Sequence, residues 1–319
     1  MHALISGGFL MRTLFATSLI TLFLTACSTT PEQRPTTFYD YSLLSPDAQP
    51  VSLTQLPKSL ANADVILVGE WHTHAGVHRF QTDLLRQLVQ EQKTIALSME
   101  QFSRDKQNVL DEYLAGTIGE QVLINNGNAW PNYESDYRPL VEFAKTSGLD
   151  VIAANAPKPI VRCIGRQGVD YLDKLTIKER SFLASDIDTS NSPYKEKFMA
   201  SMHHGKPEQT EKQFAAQVTW DETMAESIVS YLAKHPDTQV IHVAGKFHTE
   251  LGLGTKASIL KRNPDLNVVV ITPVASTDTD SGDDYRLLVS APPVRYVQME
   301  NRMKAYQKLK GRNDNLTCR

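Results

Sequence analysis

Short runs of β-branched apolar residues, each followed by a helix-length stretch, constrain this chain more than any other feature. They fall at residues 64–69, 94–100, 149–154, 239–245 and 267–271. Runs this continuous suit strands buried on both faces, as in a parallel sheet. Between them, residues 75–92 place Val77, Phe80, Leu84, Leu85 and Leu88 at helical spacing. Residues 208–234 carry one apolar stripe at Phe214, Val218, Ala225, Ile228 and Leu232, and a second at Trp220, Met224 and Tyr231. Two stripes imply a helix buried on two sides, ending near Pro236. The alternation predicts an α/β fold: a mostly parallel, doubly wound sheet with helices on both faces. Residues 156–206 break the pattern with helical signals alone. Thr176-Ile177-Lys178-Glu179 reads as a capping box, and Ser192-Pro193 opens another helix. This segment is expected to be a smaller helical insertion in a core made of residues 51–155 and 207–300. A polar loop at 278–284 precedes a final strand or hairpin. Residues 301–319 hold the rest of a short amphipathic helix, which starts near Gln298, and a tail.

The first residues read as an address. Arg12 precedes an apolar run at 14–24, too short to span a bilayer as a mature helix, and Met11 is a plausible start. The run ends in Leu24-Thr25-Ala26-Cys27, which resembles the bacterial lipobox. The expectation is a signal peptide over 1–26, palmitate as the lipid of an acylated Cys27, and a lipidated tether over 27–50 rich in Pro, Thr, Ser and Gln. An ordinary secretory signal is the alternative. Ser28 stands where enteric lipoproteins kept in the inner membrane have aspartate, so outer-membrane anchoring facing the periplasm is expected. Cys163 and Cys318 remain, free to pair in an oxidising compartment. A net charge of -3 gives no support for nucleic-acid binding.

Ligands of open parallel sheets sit beyond the carboxyl ends of the strands. The first run ends at Gly69-Glu70-Trp71-His72, the second at Glu100, the third at Asn155, and the fourth at Gly245-Lys246-Phe247-His248. Carboxylate, amide and imidazole groups are thus expected at one rim. A metal-ligand reading adds His74 and His78, one helical turn apart, while a bland reading makes them caps or surface residues. Gly245, Gly252 and Gly254 around His248 would let backbone approach a ligand closely. His242 alternates within its run and reads as a core histidine. In the insertion, Lys158, Arg162 and Arg166 form a cationic helix face. Tyr194, with His203 and His204 and the apolar Phe198, Met199 and Met202, suits a flat apolar ligand carrying carboxylates. A solvated basic face and a surface tyrosine are the plainer alternative.

The blocks Val65-Ile66-Leu67-Val68-Gly69-Glu70-Trp71-His72, Asn155-Ala156-Pro157, Gln217 through Ala225, and Ala244-Gly245-Lys246-Phe247-His248 with Gly252-Leu253-Gly254 resemble the ChaN-like haem-binding lipoproteins. That resemblance implies ferric b-type haem bound as a cofacial pair between two subunits through a tyrosine ligand. It also implies a homodimer formed on haem binding, a role in iron uptake, and an outer-membrane haem receptor as partner. Tyr194 is the chosen iron ligand, with Tyr137 and Tyr171 as alternatives. His203 would lie beside the haem, and Lys158 and Arg162 would pair with propionates. The same blocks resemble a wider superfamily that includes metal-dependent peptidases and erythromycin esterases. That implies a second possibility, a hydrolase in which Glu70, His72, Glu100 and His248 hold a divalent metal ion or act as acid and base. A scaffolding lipoprotein with a degenerate pocket is the third.

Overall fold

Strands apolar on both faces are stable only where helices cover both sides of a sheet, and the computed structural model has that arrangement. It describes residues 35–91, 94–202, 206–311 and 316–319. The strands are β1 (Tyr41–Leu44), β2 (Pro50–Val51), β3 (Val65–Glu70), β4 (Thr94–Ser103), β5 (Asp150–Asn155), β6 (Thr238–Gly245), β7 (Val268–Val274) and β8 (Tyr285–Val289). They form one sheet in the order β2-β1-β8-β7-β3-β6-β4-β5. From β8 to β5 the pairs are parallel, and β1 runs antiparallel to both β8 and β2. The five apolar runs are β3 to β7. The final segment is a strand parallel to β7 rather than a hairpin. Tyr41–Leu44, expected in the tether, is part of the sheet, so the core begins before residue 51.

On one face lies α1 (Ala75–Gln90), burying Val77, Phe80, Leu84, Leu85 and Leu88 as its spacing predicts. Beside it α2 (Arg138–Thr146) buries Leu140, Val141 and Ala144 in the same apolar cluster. The insertion contributes α3 (Lys158–Gln167) and α4 (Pro193–Ser201), with the Thr176–Glu179 capping box formed between them. Next comes α5 (Pro207–Leu232), which serves two partners. Its second half sets Ala225, Ile228 and Leu232 against Val65, Leu67 and Val240 of the sheet. Its first half sets Phe214 and Val218 against Tyr194 and Phe198, and Ala215 and Ala216 against Val161 and Ile164. The insertion is therefore continuous with the core, and residues 34–319 form one compact unit. Further along lie α6 (Thr255–Arg262) and α7 (Met299–Gly311).

Cys163 of α3 and Cys318 are joined by a disulfide with a Cα–Cα distance of 5.6 Å. Around it Arg319 forms a two-pronged pair with Glu179, and Arg166 donates to the carbonyl of Leu316. The tail is thus fastened to the insertion.

β5 ends the sheet, and an open edge is a liability. Gln107 closes it with its side chain. Its amide nitrogen donates to the carbonyl of Val151, and its amide oxygen accepts from the nitrogen of Ala153. Gln107→Ala is expected to cost about 1–2 kcal/mol in urea unfolding, since both backbone groups lose their partner. A variant of unchanged stability would show that water replaces the amide at no cost.

Candidate functional site

β3, β6 and β4 are neighbours in the sheet, and their carboxyl ends bring Glu70, Gly245 and Glu100 to one rim. Glu70 is almost fully buried. Its Oε1 accepts from Tyr137 Oη (2.6 Å), His72 Nδ1 (2.9 Å) and Gln101 Nε2 (3.1 Å), and its Oε2 from Gln81 Nε2 (2.8 Å). Burial opposes the charge. The hydrogen bonds from His72 and Gln81, with the nearby imidazoles, outweigh it and hold the carboxyl below its ordinary range. His78 donates to Gln81 Oε1 (2.9 Å) and so fixes the amide that faces Glu70. For His72, burial again opposes the charged form, but the bond to Glu70 and the charge of Glu100 raise its pKa. Its ring is half exposed, with Trp130 edge-on to it at 5.0 Å.

A second buried network faces the first. Asp221, from the middle of α5, accepts from His248 Nδ1 (3.1 Å), Thr255 Oγ1 (2.8 Å) and Tyr194 Oη (2.8 Å). On its other side His248 Nε2 lies 3.8 Å from Glu100 Oε1, while Glu100 Oε2 accepts from the backbone nitrogen of Gly245 at 2.6 Å. Burial would neutralise His248, but the two carboxylates prevail and push its pKa up to about 9. Asn155 closes the group by donating to the carbonyl of Glu100 at 3.0 Å. The shift in β4–β5 register between Met99 and Ser103 coincides with this spot, where the adjacent Glu100 and Gln101 both turn into the site.

Two cavities meet here. One, of about 730 Å³, is lined by Trp71, His72, His74, Lys246, Phe247 and Arg295. The other, of about 620 Å³, is lined by Trp130, Trp220, Lys158, Arg162, Glu100 and Asn155. His72 and His248 line both. These volumes are typical of sites for small organic ligands and cofactors.

A family model described as "Haem-binding uptake, Tiki superfamily, ChaN" matches residues 56–259, well over half the chain. The chain belongs to this family. The solved structure titled "Cofacial heme binding to ChaN of Campylobacter jejuni" is 20% identical, covers 79% of this chain and 98% of that one, and superposes with a TM-score of 0.62. At that identity the likeness is one of fold. An erythromycin esterase in its open conformation is 14% identical, covering 83% of this chain and 87% of that one with a TM-score of 0.44. Protein RETICULATA-RELATED 5, chloroplastic, of Arabidopsis thaliana is 23% identical over 202 residues. That alignment takes in 59% of this chain and 27% of the plant protein, so the chain spans about a quarter of that relative's length.

Within this ChaN-like chain, Glu70, His72, Glu100, Asn155 and His248 come together at the expected rim, and Lys158 and Arg162 border the second cavity. His203 and Cys27 lie outside the described residues. Tyr194 is elsewhere than the edge of a porphyrin-sized cleft: it is 4% exposed, its hydroxyl donating to Asp221 and accepting from Gln217 Nε2 at 2.9 Å. Burial and the neighbouring Asp221 raise its pKa well above the ordinary phenol value. Tyr137 is sealed against Glu70, and Tyr171 packs in the apolar cluster around Cys163. Tyr194 and Tyr137 follow the same logic: a large apolar ring enters the core once its hydroxyl finds a partner.

The remaining histidines also separate. His74 donates to the carbonyl of Ser290 (2.8 Å) and stacks on Phe38, whereas His78 turns to Gln81, so the two do not form a ligand pair. His242 is fully buried against Ser98, and burial lowers its pKa to about 3. Among the described residues no group of three or more His, Cys, Asp or Glu side chains converges as a metal site would. The donors present therefore do not fit the divalent ion of the hydrolase reading. Two of the glycines make room for side chains of the site. A Cβ on Gly245 would meet His72 at 2.8 Å, and one on Gly254 would meet Asp221 at the same distance.

Asp221, Gln81, Gln101 and Gln217 are the site residues that sequence reasoning missed. One signal for Asp221 was present: between two apolar stripes of a doubly buried helix, a carboxylate must be buried and must have a partner.

Proposed function

We propose that this chain binds ferric haem in the cleft at the carboxyl rim of the sheet and serves haem or iron acquisition. The observation that carries the reading is the pair of cavities meeting at His72 and His248. Indole and phenyl walls (Trp71, Trp130, Trp220, Phe247) suit the porphyrin faces, and Lys158 and Arg162 line the second cavity as cations suited to propionates. Membership of a haem-binding family supports it. The finer form has cofacial haems closing a homodimer, an acyl anchor on Cys27 at the outer membrane, and delivery from a haem receptor. The Cys163–Cys318 disulfide supports an oxidising compartment. Iron ligation by Tyr194 requires its hydroxyl to leave Asp221, whereas the half-exposed His72 already faces both cavities.

Haemin titrated into the protein is expected to give a saturable Soret shift. Replacing both Lys158 and Arg162 with alanine should weaken it roughly tenfold or more, through lost charge-assisted hydrogen bonds. A tyrosinate charge-transfer band lost in Tyr194→Phe would place the iron there; a band that persists would place it elsewhere. A Soret band that never saturates would remove the haem reading.

A second reading has one specific support, the Glu70–His72 pair. Glu70 holds Nδ1 of His72, leaving Nε2 as the ring nitrogen for proton transfer at the cleft, opposite the cationic His248. It predicts metal-independent turnover of an ester, abolished by Glu70→Gln. Turnover that survives this substitution would count against it.

A further inference from the structure

From the end of β8 an exposed strip of apolar and basic side chains runs into α7. Val294 is 78% exposed, Val297 92% and Met299 65%. Arg295, Arg302, Lys304 and Lys308 accompany them with a single carboxylate, Glu300, in a chain whose net charge is -3. Helices of this length are marginal in water unless a face is covered. Of the described α7 side chains only Ala305 is half-buried. On the proposed acyl anchor at Cys27, the N-terminal side of the chain indicates the cover. Ser290 Oγ donates to the carbonyl of Thr37, and Phe38 stacks on His74, which itself holds the carbonyl of Ser290. The chain therefore joins the folded body right beside this strip.

We infer that residues 294–308 form a peripheral surface for anionic phospholipid. The aliphatic side chains would enter the boundary between headgroups and acyl chains, and the four cations would lie against phosphates. Scattered apolar residues among cations suit a lipid surface better than a protein interface, whose core is depleted of charge. Pro292, Pro293 and Arg295 also line the larger cavity, so this docking turns that cavity towards the bilayer. An apolar ligand dissolved in lipid then has a short path in. The inference is independent of which ligand that is.

The test uses the full chain on vesicles, with an environment-sensitive fluorophore on Val297→Cys. A control label goes on Asp237→Cys, in the exposed loop before β6 at the opposite rim. On phosphatidylglycerol-containing vesicles the label at 297 is expected to shift to the blue, and the label at 237 to stay unchanged. The shift should vanish on pure phosphatidylcholine and in the Arg302→Glu/Lys304→Glu/Lys308→Glu variant. That variant should keep the parent's melting curve and its haemin titration in detergent, since its charges lie outside the cleft. No shift on anionic vesicles overturns the inference. So does an equal shift on neutral lipid, or one in detergent that grows with protein concentration and so reports contact between copies.

Discussion

Glu70→Ala is expected to cost about 3–5 kcal/mol in chemical denaturation, the range for removing one partner of a buried charged network. The hydroxyl of Tyr137 and the amides of Gln81 and Gln101 all end on this carboxylate, and all three side chains are buried. Alanine leaves each donor without an acceptor and opens a void beside them. Glu70→Gln keeps the volume and one carbonyl oxygen, so its loss should be clearly smaller. It should nevertheless lower the pKa of His72, which leans on the Glu70 charge, as read by ring-proton chemical shifts against pH. Equal stability losses for the two variants would show that the carboxylate charge, which both lose, sets the cost, and not the volume that only alanine removes.

Alkaline pH is expected to weaken the fold through His248. Its imidazole titrates near 6.5 when unfolded, whereas Asp221 and Glu100 push it up to about 9 in the folded protein. A raised folded pKa adds stability that is complete below about pH 6.5 and disappears as pH climbs through 9. The window is therefore pH 6.5 to 9, and the amount on the order of 3 kcal/mol. Urea unfolding of the parent protein against His248→Asn, at intervals from pH 6 to 9.5, isolates this group from other titrations. The difference between the two should shrink steadily with pH. A constant difference would mean that the cationic form is not what the two carboxylates hold.

The periodicities that reveal strands and helices are local, and they were legible. β3 to β7, α1 and α5 follow from runs and stripes whose spacing already states which faces are buried. The parallel sheet adds one rule, that side chains at strand ends share a rim, and so Glu70, Glu100, Asn155 and His248 could be named together. β1 was not legible: a short strand in a polar stretch exists only because β8 offers it a partner, with the two-residue β2 beyond it.

Nor could the sequence say which tyrosine faces a ligand. A phenol's direction depends on which acceptor lies within reach after folding, and for Tyr194 that acceptor is Asp221, 27 positions away. The same holds for Asp221 itself and for the glutamines that buttress Glu70. In short, the chain's own pattern determined the layers and the rim. Only the folded structure decided the partners of each buried polar group, because a hydrogen bond requires close approach and good alignment between residues far apart in the chain.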